Sequence, residues 1–320
     1  MKIYKRYRPD NEITLYNGDC FNLLQKIESE SVDLIITSPP YCMGKAYEDP
    51  KDDIESFKNQ QKKIFPEIYR ILKVGGSVCW QVGYHICDMC TIPLDFYVYQ
   101  IFTEMSNGEE NPLFLRNRII WTFGHGLNTT QRFSGRHETI LWFTKGKAYD
   151  FNLDAVRVPQ KYPGKRAYKG EKKGEFSGNP HGKNPSDVWE VPSDVWDIPN
   201  VKANHIEKTE HPCQFPSAIP RRLIKALVPQ DGIVCDPYMG VGTSGIAAVF
   251  ENRRFIGAEL KKEYYDLATQ RIKDADKGEL EIRPDLPVSE PDLGSEVARL
   301  PEEFAIIRGS WYGGQEEKKE

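Results

Sequence analysis

The sequence contains no apolar run long enough to cross a membrane, and its first residues, MKIYKRYRPDNE, lack the apolar core of a secretory signal. It has no excess of positive charge either, because the formal net charge of its 320 residues is −4. Any nucleic-acid partner must therefore bind a local basic patch, because the chain as a whole provides no positive electrostatic field. We expect a cytoplasmic protein without a membrane partner.

Cysteine is scarce, and the seven cysteines lie scattered in apolar segments, as is typical of reduced thiols in a reducing compartment. Cys87 and Cys90 form a single CxxC pair. A structural zinc site needs about four ligands, and no second pair lies nearby. The sequence therefore predicts no metal site.

Short apolar runs alternate with segments of helical spacing along most of the chain. The run VDLII at 32–36 is typical of a strand that is buried on both faces. Other strands are predicted at 13–16, 77–82, 118–123, 138–143, 232–235 and 254–257, and helices at 20–27, 54–72, 217–227, 245–250 and 263–273. This alternation predicts an α/β fold with a mostly parallel sheet.

Residues 158–209 interrupt the alternation. Gly, Pro, Lys, Asn and Ser predominate there, and a heptapeptide occurs in two similar copies, SDVWEVP and SDVWDIP. Trp189 and Trp196, one in each copy, are expected to anchor the segment on the core. We predict one domain formed by residues 1–157 and 210–275, an inserted region at 158–209, and an irregular charged tail at 276–320.

The first motif that indicates chemistry is the turn DPYMGVGTS at 236–244, between a predicted strand and a predicted helix. Gly240 and Gly242 allow the backbone to approach a ligand closely, and a helix N-terminus offers N–H groups to an anion. Glu259 ends the next strand, where an acid can hold a ribose diol. The pairing fits NAD, FAD or S-adenosylmethionine, with a dinucleotide disfavoured because the spacing departs from GxGxxG. The alternative is a structural turn and an unrelated acid.

The second motif is SPPY at 38–41, directly after a buried strand. The exocyclic amine of a base is a poor nucleophile, and acceptors aimed at its N–H groups favour its attack on a sulfonium methyl group. Ser38 Oγ and the Pro39 carbonyl can be those acceptors, Pro40 adds rigidity, and Tyr41 offers a face for a flipped base. The alternative is a plain loop with a surface tyrosine. Cys42 is interpreted as a loop residue, because transfer to an amine needs no thiolate.

Together the two motifs resemble those of amino-group DNA methyltransferases, and their order, catalytic motif first, is similar to that of the circularly permuted beta class. The resemblance covers residues 13–273 and includes NGDC at 17–20, GGS at 75–77, HETILWF at 137–143, DVW at 194–196 and HPCQFP at 211–216. It implies a Rossmann-like, mostly parallel sheet with an inserted target-recognition region.

The resemblance also implies S-adenosyl-L-methionine as the cofactor. Asp19 would meet its adenine, and Glu259 would hold its ribose hydroxyls. The other cofactor-binding residues that it implies are Cys20, Phe215, Pro216, Ser217, Asp236, Pro237, Tyr238, Met239, Gly240, Gly242, Thr243 and Ser244. In this family serine at position 38 usually accompanies cytosine, and Phe215 stands where adenine enzymes often have lysine. The expected product is N4-methylcytosine, with N6-methyladenine as the alternative.

Double-stranded DNA is the expected partner. Residues 157–183 are rich in basic side chains with aromatic residues between them, a composition that suits phosphates and bases but also suits a solvated loop. The predicted DNA contacts are Arg132, Arg136, Lys161, Lys165, Arg166 and Lys169. Another enzyme on the same sheet and an inactive binding module stay open as alternatives. A homodimer and a cognate restriction nuclease that acts separately are open as well.

Overall fold

The computed structural model describes residues 1–41, 53–123, 128–158, 166–175, 181–189, 200–202 and 205–283. Within these ranges the strands are β1 Ile3–Tyr4, β2 Ile13–Asn17, β3 Val32–Thr37, β4 Leu72–Val82, β5 Tyr84–Cys87, β6 Cys90–Pro93, β7 Leu113–Thr122, β8 His137–Lys145, β9 Val188–Trp189, β10 Ile233–Asp236 and β11 Arg254–Glu259. The helices are α1 Cys20–Leu24, α2 Ile54–Ile71, α3 Leu94–Ser106, α4 Ala218–Leu227, α5 Thr243–Phe250 and α6 Lys262–Lys277, with a 3-10 turn at Asp154–Val156.

The main sheet of the described residues has nine strands in the order β1-β2-β11-β10-β3-β4-β8-β7-β9. The first six in that order pair in parallel. β8 pairs antiparallel with both β4 and β7, and β9 pairs in parallel with β7. The strands β5 and β6 form a separate hairpin. The expected mostly parallel α/β sheet is confirmed.

Both faces of the sheet are covered by helices. In β8, Ile140 and Trp142 face one side, whereas Leu141 and Phe143 face the other, as the period of two along a strand requires. Helices α4, α5 and α6 pack on the first side, and α1, α2 and α3 pack on the second. Strands covered on both faces must be apolar throughout, which explains the continuous apolar run in β3.

Four predicted boundaries are wrong by three residues or more. α1 ends at Leu24, three residues before its predicted end. β4 begins at Leu72, directly after α2, and β7 begins at Leu113, so both strands extend well N-terminal to the predicted ones. α6 continues to Lys277, where Gly278 ends it in a left-handed conformation at φ 73°. The helix thus includes residues 276 and 277 of the tail that the sequence predicts at 276–320. The remaining domain boundaries stay predictions.

The sequence did not predict the hairpin β5–β6 or helix α3. Residues 94–106 carry many aromatic and β-branched side chains, whose own preference for helix is weak. The helix forms because Val98, Ile101 and Phe102 bury themselves against α2 and the sheet. In the inserted region, Val188 and Trp189 add a short strand at the sheet edge, where Trp189 pairs with Trp121. Trp196 lies outside the described residues.

The sheet reverses its winding between β3 and β10, which are neighbours. From β3 the chain continues through α2 to β4 on one side, and from β10 it continues through α5 to β11 on the other. Open α/β sheets bind ligands at such a reversal, outside the carboxyl ends of the strands. SPPY follows β3 and the glycine turn follows β10, so both predicted motifs lie at this point. No helix among the described residues is long and apolar enough to cross a membrane.

Candidate active site

A cavity of about 800 Å³ opens at the carboxyl ends of the parallel strands. The two predicted motifs meet there, since the cavity is lined by residues of both. The predicted site residues that line it are Asp19, Cys20, Ser38, Pro39, Pro40, Tyr41, Arg132, Phe215, Pro237, Tyr238, Met239, Gly240, Thr243 and Glu259. A volume of this size accommodates a nucleoside cofactor together with part of a second molecule.

Five predicted cofactor residues lie behind the cavity wall and do not line it: Pro216, Ser217, Asp236, Gly242 and Ser244. Asp236 is only 1% exposed. Its Oδ1 accepts hydrogen bonds from Thr37 Oγ1 at 2.6 Å and Tyr238 N at 3.1 Å, and its Oδ2 accepts one from Ser244 Oγ at 2.6 Å. Burial raises the pKa of Asp236 to about 6, against these donors, which lower it. Asp236 thus holds the glycine turn in place.

The glycine turn needs its glycines at two positions. Gly240 and Gly242 have φ values of 52° and 81°, in the left-handed region that other residues rarely adopt. A Cβ on Gly240 would lie 3.4 Å from Nε2 of His211, which lines the same cavity. The turn leads into α5 at Thr243, whose first amides lack acceptors within the helix. This cradle fits the carboxylate end of an amino-acid-bearing cofactor.

Glu259 ends β11 and lies half-buried in the wall of the cavity. Its Oε1 accepts a hydrogen bond from Lys261 N at 2.8 Å. Burial raises the pKa of Glu259 to about 7, while hydrogen bonds from backbone amides, including that of Gly240, lower it. A carboxylate at this position can accept hydrogen bonds from the two hydroxyl groups of a ribose.

Asp19 and Cys20 also line the cavity, at the start of α1 and close to Glu259, because Asn17 of β2 pairs with Glu259 of β11. The Asp19 carboxylate caps the helix by accepting a hydrogen bond from Phe21 N at 2.9 Å. Burial, together with the neighbouring Asp19 charge, raises the pKa of the Cys20 thiol to about 12. Cys20 is therefore a neutral packing residue and no nucleophile.

The segment that carries Phe215 is fixed by a buried acid from the end of the inserted region. Glu207 is 4% exposed and accepts hydrogen bonds from Ser217 N at 2.8 Å and Ser217 Oγ at 2.9 Å. Ser217 therefore contributes to the site by placing Phe215, which does line the cavity. His211 packs on Tyr264 with ring centroids 4.7 Å apart, and burial lowers the pKa of His211 to about 4.

The motif SPPY contains a pair of hydroxyl groups in contact. Ser38 Oγ lies 2.9 Å from Tyr41 Oη, which also lies 3.4 Å from the carbonyl oxygen of Gln81. Tyr41 Oη hydrogen-bonds the Glu138 carboxylate as well, and Glu138 Oε2 accepts a hydrogen bond from Gln81 Nε2 at 2.7 Å. The tyrosine hydroxyl is thus part of a hydrogen-bond chain, whereas the sequence had suggested only a stacking face.

Glu138 is a candidate functional residue that the sequence did not identify by role. It lies half-buried near the start of β8 and lines the cavity beside Tyr41 and Gly83. Burial raises its pKa above the ordinary value, against the hydrogen bonds from Gln81 and Tyr41 and the charge of Lys202. The stretch HETILWF contains it, but nothing in the spacing links it to residue 41, because β4 lies between their two strands.

The predicted DNA contacts are spread over two places. Arg132 lines the cavity, and Arg136 Nη2 donates a hydrogen bond to Asn128 Oδ1 at 2.7 Å in the same loop. Arg166 and Lys169 are exposed in a turn at 166–175 that is closed by a hydrogen bond from Ala167 N to the Glu175 carbonyl at 2.9 Å. Lys161, Lys165 and Cys42 lie outside the described residues.

Residues 32–270 match the DNA methylase family of N6 and N4 methyltransferases. The chain belongs to this family. It is therefore a DNA methyltransferase, as the two motifs had indicated, and the family implies S-adenosylmethionine as the methyl donor.

Two relatives and one solved structure illustrate the match. The chain is 45% identical over 257 residues to the type II methyltransferase M.BglII of Bacillus subtilis, covering 80% of this chain and 68% of that protein. It is 31% identical over 266 residues to the DNA adenine methyltransferase YhdJ of Escherichia coli strain K12, covering 81% and 82%. The structure of PvuII DNA methyltransferase, titled cytosine-N4-specific, has the same fold, with a TM-score of 0.61 at 20% identity over 84% of this chain and 93% of that chain.

Proposed function

We propose that this DNA methyltransferase transfers the methyl group of S-adenosylmethionine to the N4 amine of a cytosine flipped out of duplex DNA. The observation that carries the proposal is the hydroxyl pair of Ser38 and Tyr41 in the wall of the cavity. An uncharged serine at position 38, where adenine enzymes of this family usually have aspartate, favours cytosine.

The hydrogen-bond chain fixes the direction in which each hydroxyl donates. Tyr41 has one hydroxyl hydrogen, and its other neighbours, the Gln81 carbonyl and the Glu138 carboxylate, can only accept when Glu138 is ionised. Ser38 therefore donates to Tyr41 across the 2.9 Å contact. The lone pairs of Ser38 Oγ are left to accept an N–H of the target amine, which is the role that the chemistry requires.

The same chain offers a path for the proton that the amine must lose. As the amine nitrogen bonds the methyl carbon and the carbon–sulfur bond breaks, the amine becomes positively charged and acidic. Its proton passes to Ser38 Oγ, the Ser38 proton passes to Tyr41 Oη, and the Tyr41 proton passes to the Glu138 carboxylate. A carboxylate whose pKa is raised is a better final acceptor than an ordinary one.

The cofactor side of the cavity is formed by the remaining residues. When bound, S-adenosylmethionine supplies an electrophilic methyl group on a sulfonium centre. Glu259 accepts hydrogen bonds from the ribose hydroxyls, Asp19 lies toward the adenine, and the turn at Gly240 receives the amino-acid end. Arg132, Arg166 and Lys169 are proposed to contact DNA phosphates. A separately acting restriction nuclease belongs to the proposal and is supported by the type II designation of the relative from Bacillus subtilis.

The decisive experiment is to methylate duplex DNA with the purified chain and tritium-labelled S-adenosylmethionine, digest the product, and separate the nucleosides. Label in N4-methylcytosine is the expected result. Label in N6-methyladenine would keep the fold and the family but overturn the assignment of cytosine. DNA without label, from a chain that binds the cofactor, would instead indicate an inactive binding module.

A further inference from the structure

The loop between β7 and β8 presents an aromatic side chain entirely to solvent. Phe133 is 100% exposed, whereas the other phenylalanines that the structure describes as exposed, Phe96 and Phe151, are 58% and 39% exposed. Covering an exposed phenyl ring is favourable, so Phe133 offers an apolar group to any molecule that lies against this loop.

The segment 129–134 is held by its own hydrogen bonds. Thr129 Oγ1 donates to the Arg132 carbonyl at 2.5 Å, and Thr129 N donates to Ser134 Oγ at 3.2 Å. Gly135 lies so close to Tyr84 of the β5–β6 hairpin that a Cβ on it would be 1.7 Å from the tyrosine hydroxyl. These contacts hold the backbone of residues 129–135, the segment that carries Phe133.

Phe133 stands beside the cavity without being part of its wall. Its neighbours in the loop do line the cavity, namely Thr129, Arg132 and Gly135. The same cavity contains Ser38 and Tyr41, where the flipped base is proposed to bind. The exposed ring is therefore adjacent to the place where a duplex must lie while one of its bases occupies the cavity.

The charges near the Phe133 ring suit contact with DNA, because the loop carries basic residues and no acidic ones. Residues 128–136, NTTQRFSGR, contain Arg132 and Arg136 and no aspartate or glutamate. Basic side chains on both sides of an apolar ring match a molecule that carries phosphates around stacked bases.

We propose that Phe133 inserts into the base stack of the duplex next to the target and occupies space that the flipped base leaves. The proposal rests on the proposed function and adds a surface residue to it. The ring stacks on the neighbouring base pair and so offsets part of the unstacking that flipping requires.

The test compares Phe133→Ala with Phe96→Ala, which removes an exposed ring from α3. The substrate is a duplex with the sequence that the wild-type chain methylates, and a second duplex carries a mismatch opposite the target base. We expect Phe133→Ala to lower kcat/KM on the matched duplex by about 10- to 100-fold, because the ring no longer offsets unstacking. Phe96→Ala should leave it unchanged, and S-adenosylmethionine affinity should be unchanged in both variants.

The mismatched duplex separates a wedge from a simple DNA contact. A mismatched base is already easier to flip, so most of the activity of Phe133→Ala should return on that substrate. Phe133→Trp should retain activity on both duplexes. An equal loss on both duplexes, or no loss on either, would overturn the wedge while leaving methylation intact. A wild-type chain that binds S-adenosylmethionine but methylates no DNA would overturn the proposed function as well.

Discussion

Thr37 Oγ1 donates a hydrogen bond of 2.6 Å to Asp236 Oδ1, and this contact joins the last residue of β3 to the last residue of β10. SPPY begins directly after Thr37, and the glycine turn begins at Asp236. Both groups are buried, at 0% and 1% exposure. A single hydrogen bond in the interior thus fixes SPPY relative to the glycine turn.

Removing the Thr37 hydroxyl should destabilise the fold. Thr37→Val keeps the shape of the side chain but leaves the buried Asp236 carboxylate with fewer donors. We expect the free energy of unfolding to fall by about 1.5–3 kcal/mol, as for other hydrogen bonds to charged groups. Urea denaturation measures it. Thr103→Val, which removes a hydroxyl bonded only to its own helix, is the control, and an equal loss there would refute the special role of Thr37.

The buried Asp236 carboxyl should make stability depend on pH. Its folded pKa is about 6, raised above the ordinary 3.8, so the folded state binds the proton more tightly than the unfolded state does. Its contribution to the free energy of unfolding is therefore greatest below about pH 4 and declines as the pH rises through about 6. Asp236→Asn should flatten this decline in denaturation curves of the cofactor-free protein. If the free energy of unfolding of Asp236→Asn fell with pH as steeply as that of the wild type, another group would be responsible for the pH dependence.

Glu259 should couple cofactor binding to proton release. Its pKa in the free protein is about 7, and only the ionised carboxylate can accept hydrogen bonds from both ribose hydroxyls at once. Affinity for S-adenosylmethionine should therefore increase as the pH rises through 7, and calorimetry at pH 6 in two buffers should detect a released proton. Glu259→Gln should abolish that release and weaken binding by roughly 10- to 150-fold. Unchanged affinity would remove Glu259 from the ribose site.

The sequence predicted the elements that carry strong local patterns. The strand VDLII, the turn at Gly240 and Gly242, and the acid at Glu259 each combine a periodic or conformational requirement with a defined place in an α/β unit. Since parallel strands bring their carboxyl ends to one edge, the meeting of SPPY with the glycine turn also followed from the predicted fold.

Other features depended on contacts between distant segments, which spacing does not reveal. Glu138 reaches Tyr41 only because β8 lies antiparallel beside β4, and Glu207 reaches Ser217 from the end of the inserted region. The role of Asp236 differed for a similar reason. Its position in the motif suggested contact with the cofactor. In the structure its carboxylate points into the interior, where it accepts hydrogen bonds from Thr37 and Ser244.

The chain from Ser38 through Tyr41 to Glu138 can be tested by two matched substitutions. If the tyrosine acted only as a stacking face, Tyr41→Phe would be mild. Because its hydroxyl connects Ser38 with Glu138, we expect Tyr41→Phe and Glu138→Gln to lower single-turnover methylation by a similar factor of about 10 or more. Tyr41→Ala should lose more, since the ring is lost too.

The pH profile distinguishes a proton relay from simple positioning. The wild-type rate should rise with pH as Glu138 ionises, and that rise should disappear in Glu138→Gln. S-adenosylmethionine affinity should be unchanged in each variant. If Glu138→Gln lowered the rate but kept the pH profile, Glu138 would only position Tyr41, and the proton would leave by another route.

The basic turn at 166–175 should carry part of the salt-dependent DNA affinity. Arg166 and Lys169 are exposed there, and each phosphate contact contributes about 0.9 units to the slope of log affinity against log salt. Replacing both by alanine should therefore flatten the slope by up to about 2 units, with cofactor affinity retained.

The matched control removes two exposed lysines of α6, Lys273 and Lys277, and should leave the slope unchanged. Fluorescence anisotropy with a labelled duplex at several salt concentrations measures both. Equal slopes for the wild type and the Arg166/Lys169 variant would show that this turn is a solvated loop, and the phosphate contacts would then have to come from elsewhere, first from Arg132 at the cavity.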